Sequence, residues 1–422
     1  RRATTRTEQN DAPACTLGFP GVVPDRHNCS SAASRLPPCT NSRVRPWLVA
    51  QACEWFLRCG LPVLGTRPTA MTAAAMEYVE YVVVGAGPAG LRAAQVLAEA
   101  GREVLVLEKN EEVGPKTCGG GLSVKAIREL RALGLPDVAG LDLTAHASFQ
   151  EEELVPLDAE HARIRTLSRQ RLGQFQAAWA RAAGAEIRTG TPAQRIDLET
   201  RTLEAGGRRI RYRHLIGADG SSSAVRRALG LPSPRAFFAG EYNIPGLRAT
   251  HLSVAYDSEA LGPGYFWIFP HEEYTCIGAG SHKALVPPAA IRPYLLRRLE
   301  ALGVDPGSTP YEGATIEVSF VGFDFPDGVH LVGDAAGVPS GLTGEGIYAA
   351  LVTGEEVARS ILEPGYPRPK TRAWLRIKRA HDAIGRLWLR RRPRDLSFAT
   401  LPHLCRWRPT RKWLSAFFLE GR

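Results

Sequence analysis

The chain has 422 residues, of which 44% are hydrophobic, and a formal net charge of +10. This length predicts two intimate domains around a large core. No run of 18 apolar residues occurs, and no Cys-x-x-Cys pair is present, so a spanning helix, a structural zinc site and a disulfide framework are not expected.

Charge is uneven along the chain. Residues 1–70 hold 9 Lys and Arg against 4 Asp and Glu, residues 71–367 hold 28 against 36, and residues 368–422 hold 16 against 3. The basic excess is therefore mostly a C-terminal feature.

Residues 1–70 are rich in Arg, Pro, Ala and Ser, hold five of the eight cysteines and lack periodicity. They read as a non-core leader or translated upstream sequence, with an Arg-rich transit peptide as the rival. A secretory signal is not expected, because Glu54 and Arg58 interrupt the apolar stretch Trp47–Leu64. The remaining cysteines, Cys118, Cys276 and Cys405, fit a reducing, cytoplasmic compartment.

From Tyr78 the pattern is strand, glycine turn, helix, strand. Gly85, Gly87 and Gly90 form G-x-G-x-x-G directly after the apolar run Tyr81–Val84, and Pro88 and Ala89 open the helix. Gly85 permits a tight turn, Gly87 admits a pyrophosphate to the backbone, and Gly90 lets the helix pack closely with its N-terminus toward the phosphates. Glu108 lies 23 residues after Gly85, followed by Lys109. An acid at that distance binds a ribose 2′-hydroxyl and favours a dinucleotide without a 2′-phosphate.

Helices are expected at Ser123–Leu133 and Gln170–Ala183, with a strand near Ala185–Arg188. The strand Arg213–Ile216 runs into the turn Gly217-Ala-Asp-Gly220, where Asp219 and Gly220 can approach a dinucleotide, and Ser221–Leu229 opens a helix. From Arg235 to Phe320 short β-type runs dominate (Thr250–Tyr256, Tyr265–Phe269, Tyr274–Ile277, Thr315–Phe320), with one helix at Ala289–Leu302. Val329–Val332 returns to a buried strand. It leads into Gly333-Asp-Ala-Ala-Gly337 and the helix Glu345–Leu362, whose positive end suits a reduced, anionic ring. The fold class is thus α/β. A split dinucleotide domain (71–234 and 321–362) encloses a β-rich substrate domain (235–320), and a helical tail (363–422) follows.

The three glycine motifs, in this order, resemble the FAD-binding fold of para-hydroxybenzoate hydroxylase over residues 77–362. The resemblance implies FAD as cofactor, with Asp334 near the ribityl and pyrophosphate groups and Arg169 beside the FAD. Pro115-Lys-Thr-Cys-Gly-Gly-Gly-Leu-Ser123, Gly264-Tyr-Phe-Trp-Ile-Phe-Pro270 with Gly278-Ala-Gly280, and Ser340–Ile347 resemble the geranylgeranyl reductases. These enzymes reduce isolated double bonds of isoprenoid chains. The likeness implies flavin contacts from Cys118, Gly119, Gly344, Gly346 and Ile347, and an isoprenoid lipid or prenyl diphosphate as substrate. The electron donor would be NAD(P)H or ferredoxin.

A non-activated alkene needs hydride on one carbon and a proton on the other, inside a dry, apolar tunnel. Tyr265 and Trp267 share one strand face and would wall it; simple core packing explains them equally well. Cys118 could gate the flavin or supply the proton, but a small packing residue is the preferred reading. His271 and Glu272 are expected on a surface turn. Many relatives read Asn-Pro-Leu-Thr-Gly where this chain has Ser340-Gly341-Leu342-Thr343-Gly344, and often carry Asp at Gly173.

In the tail, Arg376, Arg379 and Arg390–Arg392 interleave with Trp374, Trp388, Trp407, Trp413, Phe417 and Phe418. Beside a flavoprotein this reads as a peripheral membrane contact through residues 371–422 rather than nucleic-acid binding. The rival is a solvated, partly packed helical domain. A monomer is expected. The alternative function is a flavin monooxygenase acting on an aromatic or quinone substrate. A halogenase is not expected, because this chain lacks Trp-x-Trp-x-Ile-Pro, and an electron carrier to quinone is the third class.

Overall fold

In the computed structural model the described residues are Val22–Val23 and 76–420, apart from 138, 151–154 and 159. The leader assigned to residues 1–70 thus lies outside the described residues, except for the two-residue strand Val22–Val23 paired with Arg248–Ala249.

The first sheet is mainly parallel. Its strands run in the order Asp324–Phe325, Val329–Leu331, Arg208–Gly217, Glu77–Val84, Val104–Leu107, Glu186–Arg188. Both faces of its centre are covered, so its strands are continuous Val, Leu and Ile runs rather than alternating ones. Val82 pairs with Leu105 on one side and Leu215 on the other, and all three are buried. Helix Pro88–Glu99 is buried from Ala89 to Ala98. It crosses helix Ile347–Leu362 where a Cβ on Gly354 would stand 2.2 Å from the Ala89 carbonyl oxygen. Small residues therefore set the helix spacing.

The second sheet has nine strands. Its main path is Glu312–Glu317, Ala236–Pro245, Tyr274–His282, Tyr265–Pro270, Leu252–Tyr256, Leu141–Phe149, Arg163–Thr166, Gly121–Ser123. It is therefore not confined to residues 235–320: the earlier segment 121–166 returns to complete it. Leu252–Tyr256 runs parallel to Leu141–Phe149, the one parallel junction between the two contributions. Helix Pro288–Ala301 covers the outer face through Ile291, Leu295 and Leu299.

The tail forms helices Pro369–Trp388, Arg391–Arg406 and Arg408–Ser415 and belongs to the same compact unit as both sheets. Trp374, Trp388 and Phe398 are core residues, at most 3% exposed. That corrects the placement of Trp374 and Trp388 at a membrane interface; Trp407 and Trp413, 66% and 60% exposed, face outward.

Candidate active site

The parallel strands end in a row of turns that form a cradle. Gly85 adopts φ +102°, and a Cβ there would meet the Ala218 carbonyl at 2.5 Å, so two turns approach to backbone contact. A Cβ on Gly87 would meet nothing within 4 Å, so the space before the helix N-terminus is open, and no side chain caps that helix. Glu108 accepts from the Ala86 and Asn110 amides at 2.8 and 3.0 Å, which fixes its carboxylate behind the turn. Lys109 beside it is exposed.

The Asp219 carboxylate is engaged within its own turn. Its carboxylate accepts from the Ser223 hydroxyl at 2.5 Å and from the Ala224 amide at 2.6 Å, anchoring the start of helix Ala224–Ala228. Burial raises its pKa against those bonds. Asp334 instead faces a cavity, where Lys116 and Ser221 each donate to it at 3.1 Å. Burial would raise its pKa, but the Lys116 ammonium and these bonds lower it overall. Arg169, 9% exposed, lines the same cavity, and its Nε is buried with no hydrogen-bond partner. Helix Ile347–Leu362 begins at Gly346 without a side-chain cap, also at the cavity wall. An open helix terminus, an unpartnered guanidinium nitrogen and an aspartate beside a lysine suit a phosphate-bearing, hydroxylated cofactor. These residues fit FAD.

The glycine loop and the aromatic strand explain each other. Cβ atoms on Gly119, Gly120 and Gly121 would stand 3.0, 2.7 and 2.9 Å from the rings of Phe269, His271 and Phe269 respectively. Three glycines are thus needed because the Phe269 and His271 rings press on the loop at each of these positions. Trp267 pairs in register with Gly278, where a Cβ would stand 2.2 Å from the indole, so the Gly-x-Gly gives the ring its bed. His271 is not on a surface turn. It is 4% exposed, stacks on Tyr274, and its Nε2 lies 3.0 Å from the Gly119 carbonyl. Burial lowers its pKa, keeping the ring neutral. Glu272 does lie nearer solvent, ion-paired with Arg171.

These elements enclose a cavity of about 300 Å³. It brings together Pro88, Cys118, Gly119, Arg169, Tyr265, Trp267, Asp334, Gly344, Gly346 and Ile347. Gly85, Gly87, Ala89, Gly90, Glu108, Lys109, Asp219, Gly220 and Gly333 stand outside its lining, in or beside the strand-end turns. The Tyr265 hydroxyl donates to the Thr343 carbonyl at 2.7 Å and ties the second sheet to the loop before helix Ile347–Leu362. Burial holds this phenol neutral by raising its pKa. Beyond Tyr265 the walls are Ala147, Phe149, Val254, Tyr256 and, from the tail, Leu414 and Phe418.

Three participants escaped the sequence reading. Lys116 stands two positions before Cys118 in the glycine-rich loop and reaches Asp334 across 218 residues. Glu241 is 1% exposed and lines the cavity, and its Oε1 accepts from the Cys118 amide at 2.8 Å. Burial raises its pKa to about 7, partly offset by that bond. A lone Glu between Gly240 and Tyr242 in an apolar strand was the available signal.

The third participant is the tail, which closes the far end. The Ser340 hydroxyl lies 2.9 Å from His381 Nδ1, and the Gly341 amide donates to Asp382 at 3.1 Å. A proline at 341 would have no N–H to donate. The departure from Asn-Pro thus coincides with direct bonds to the tail helix. Gly173 has a steric reason as well, since its Cβ would stand 2.4 Å from the Gly114 Cα.

Comparison with known proteins places this geometry. A family model described as "FAD binding domain" matches residues 78–284. The chain is 31% identical over 323 residues to digeranylgeranylglycerophospholipid reductase 1 of Methanopyrus kandleri, covering 68% of this chain and 82% of that protein. It is 31% identical over 317 residues to menaquinone reductase of Mycobacterium tuberculosis, covering 67% and 76%. Among solved structures, a geranylgeranyl bacteriochlorophyll reductase-like protein of Thermoplasma acidophilum superposes with a TM-score of 0.64 at 26% identity, covering 78% of this chain and 91% of that one.

Proposed function

The chain belongs to the geranylgeranyl reductase family of FAD-dependent oxidoreductases, and from that premise we propose that it reduces isolated carbon–carbon double bonds in an isoprenoid chain. The carrying observation is the cavity itself. Its polar end holds Lys116, Arg169 and Asp334, and its other walls are Phe149, Val254, Trp267, Leu414 and Phe418. FAD, when bound and reduced, supplies the hydride.

The residues of the chain do the rest. Lys116, Arg169 and the two uncapped helix starts bind and orient the cofactor. Tyr265 holds the loop at Thr343 in place. Trp267 and Phe269 press the Cys118–Gly121 loop against the cavity and keep water out. An apolar wall orients an isoprenoid by shape rather than by hydrogen bonds, which suits a substrate without polar handles.

The substrate class is an isoprenoid lipid or prenyl diphosphate, and the reductant NAD(P)H or ferredoxin. Among the described residues no helix is long and apolar enough to cross a membrane. Access to a lipid substrate is assigned to the exposed Trp407 and Trp413 with the exposed Arg390, Arg391, Arg392 and Arg408, as a peripheral contact with anionic headgroups.

The test is anaerobic. The full-length holoenzyme is reduced with dithionite and given geranylgeranyl diphosphate, a digeranylgeranyl glycerophospholipid or menaquinone. A product heavier by two hydrogens per double bond, with flavin reoxidised, is the expected result. No such gain, but a product heavier by one oxygen when air and an aromatic substrate are admitted, would move the chain to the monooxygenases.

A further inference from the structure

Three carboxyl groups line the cavity: Asp334, Glu345 and Glu241. Asp334 is ion-paired with Lys116 at 3.1 Å and Glu345 with Lys125 at 2.8 Å, so each has a cationic partner. Among the described residues Glu241 has no such contact; it accepts from the Cys118 amide at 2.8 Å and hydrogen-bonds the Cys276 thiol. It shares its strand face with Phe237 and Ala239, which also line the cavity, and is the acid in that row.

Directly across the ladder, Glu241 pairs in register with Glu312. One of these carboxyls is buried and the other exposed. Like charges at facing positions repel, so burial and the facing Glu312 both favour the protonated form of Glu241. Glu312 also accepts from the Thr117 hydroxyl at 3.4 Å, beside the same loop. The pair thus links solvent to the cavity wall across the sheet's edge strand.

We propose that Glu241 is the acid that protonates the substrate alkene, and that Glu312 restores its proton from solvent; this rests on the reductase reading. Reduced flavin, when bound, would supply the hydride to one alkene carbon and would itself be oxidised by two electrons. The π bond breaks, and the other carbon receives the Glu241 proton as the O–H bond breaks. The carboxylate left behind is reprotonated by water through Glu312. The groups that face Glu241 are Cys118 on the loop, Cys276 and Tyr274 on the neighbouring strand, Glu312 on the edge strand and Arg169 on its helix. Burial holds Glu241 near neutrality and pushes Cys276 well up, so Glu241 is the readier proton donor of the two.

The experiment compares the full-length holoenzyme with Glu241→Gln and Glu312→Gln. Glutamine keeps an acceptor for the Cys118 amide, so flavin content and absorbance should match the wild type. Flavin reoxidation by the alkene, in a single turnover after dithionite, should slow by about 10²- to 10⁴-fold in Glu241→Gln. The wild-type rate should fall as pH rises through neutrality, and the residual Glu241→Gln rate should lose that dependence. Glu312→Gln removes the facing charge and should move the wild-type midpoint to lower pH. Infrared titration should show a protonated carboxyl in the wild type that Glu241→Gln lacks, whether or not substrate turns over. A Glu241→Gln enzyme with the wild-type rate and pH profile would overturn the assignment, as would one that cannot hold flavin. A wild type inactive on every isoprenoid probe would sink the reductase reading and this step with it. A wild type that turns over while Glu241→Gln matches it sinks this step alone.

Discussion

Replacing Gly341 by proline should restore the Asn-Pro-like backbone of relatives and yet destabilise this chain. The Gly341 amide donates to Asp382 Oδ1 at 3.1 Å in a buried site. Losing a hydrogen bond to a charged group costs about 1.5–3 kcal/mol. A Cβ at 341 would also stand 2.7 Å from the same oxygen, and overpacking of this kind adds about 1–3 kcal/mol. Asp382 keeps Lys378 at 3.1 Å and Arg235 at 3.6 Å, so its charge is not left alone. The expected loss is therefore near the lower end, about 3 kcal/mol. At roughly 2 °C per kcal/mol for a chain of this size, the melting midpoint should drop by about 6 °C. Thermal melts of the flavin-loaded full chain read the stability, and hydrogen exchange over 369–388 reads where it is lost. In an Asp382→Ala background the same substitution should lose under about 1 kcal/mol, because neighbouring effects are not additive. A Gly341→Pro protein that melts with the wild type, or an equal loss in both backgrounds, would refute the reasoning.

Arg169→Ala should weaken FAD binding by about 10- to 100-fold while the apoprotein melts normally, since its Nε has no protein partner to lose; flavin titration decides it, and Lys116→Ala, at a 42% exposed ammonium, should do less. His381 is fully buried, and burial lowers its pKa to about 4 despite its Phe417 carbonyl contact. Between its ordinary value of 6.5 and that value, the unfolded chain takes up a proton that the folded chain does not. Stability should thus decline as pH falls through this window, by about 3 kcal/mol in all, and His381→Gln should flatten that part of the denaturation–pH curve. Trp407→Ala with Trp413→Ala should reduce binding to anionic vesicles several-fold without changing the melt, and binding should fall with salt; sedimentation with neutral and anionic vesicles would contradict this if the double variant bound as well as the wild type.

The parallel half of the fold and its cofactor were legible in the residue pattern alone. Gly85, Gly90 and the Val82–Val84 run act through local backbone geometry and burial, which adjacent residues reveal. It also paired the glycine loop with the aromatic strand as motifs, though not as surfaces in contact. Leu141, Leu143, Ala145, Ala147 and Phe149 alternate at period two, so the strand that carries segment 121–166 into the second sheet was legible in principle. The relations between distant segments depended on how the folded chain packs. Asp219 anchors a helix start because Ser223 and Ala224 reach it first. Glu241 joins the cavity because Cys118, 123 positions away, donates to it. Trp374 and Trp388 are core while Trp407 and Trp413 face out, although all four share one basic, aromatic tail. Composition records what a segment contains; which side of each helix meets Ser340, Gly341 and the cavity is fixed by packing across the whole chain.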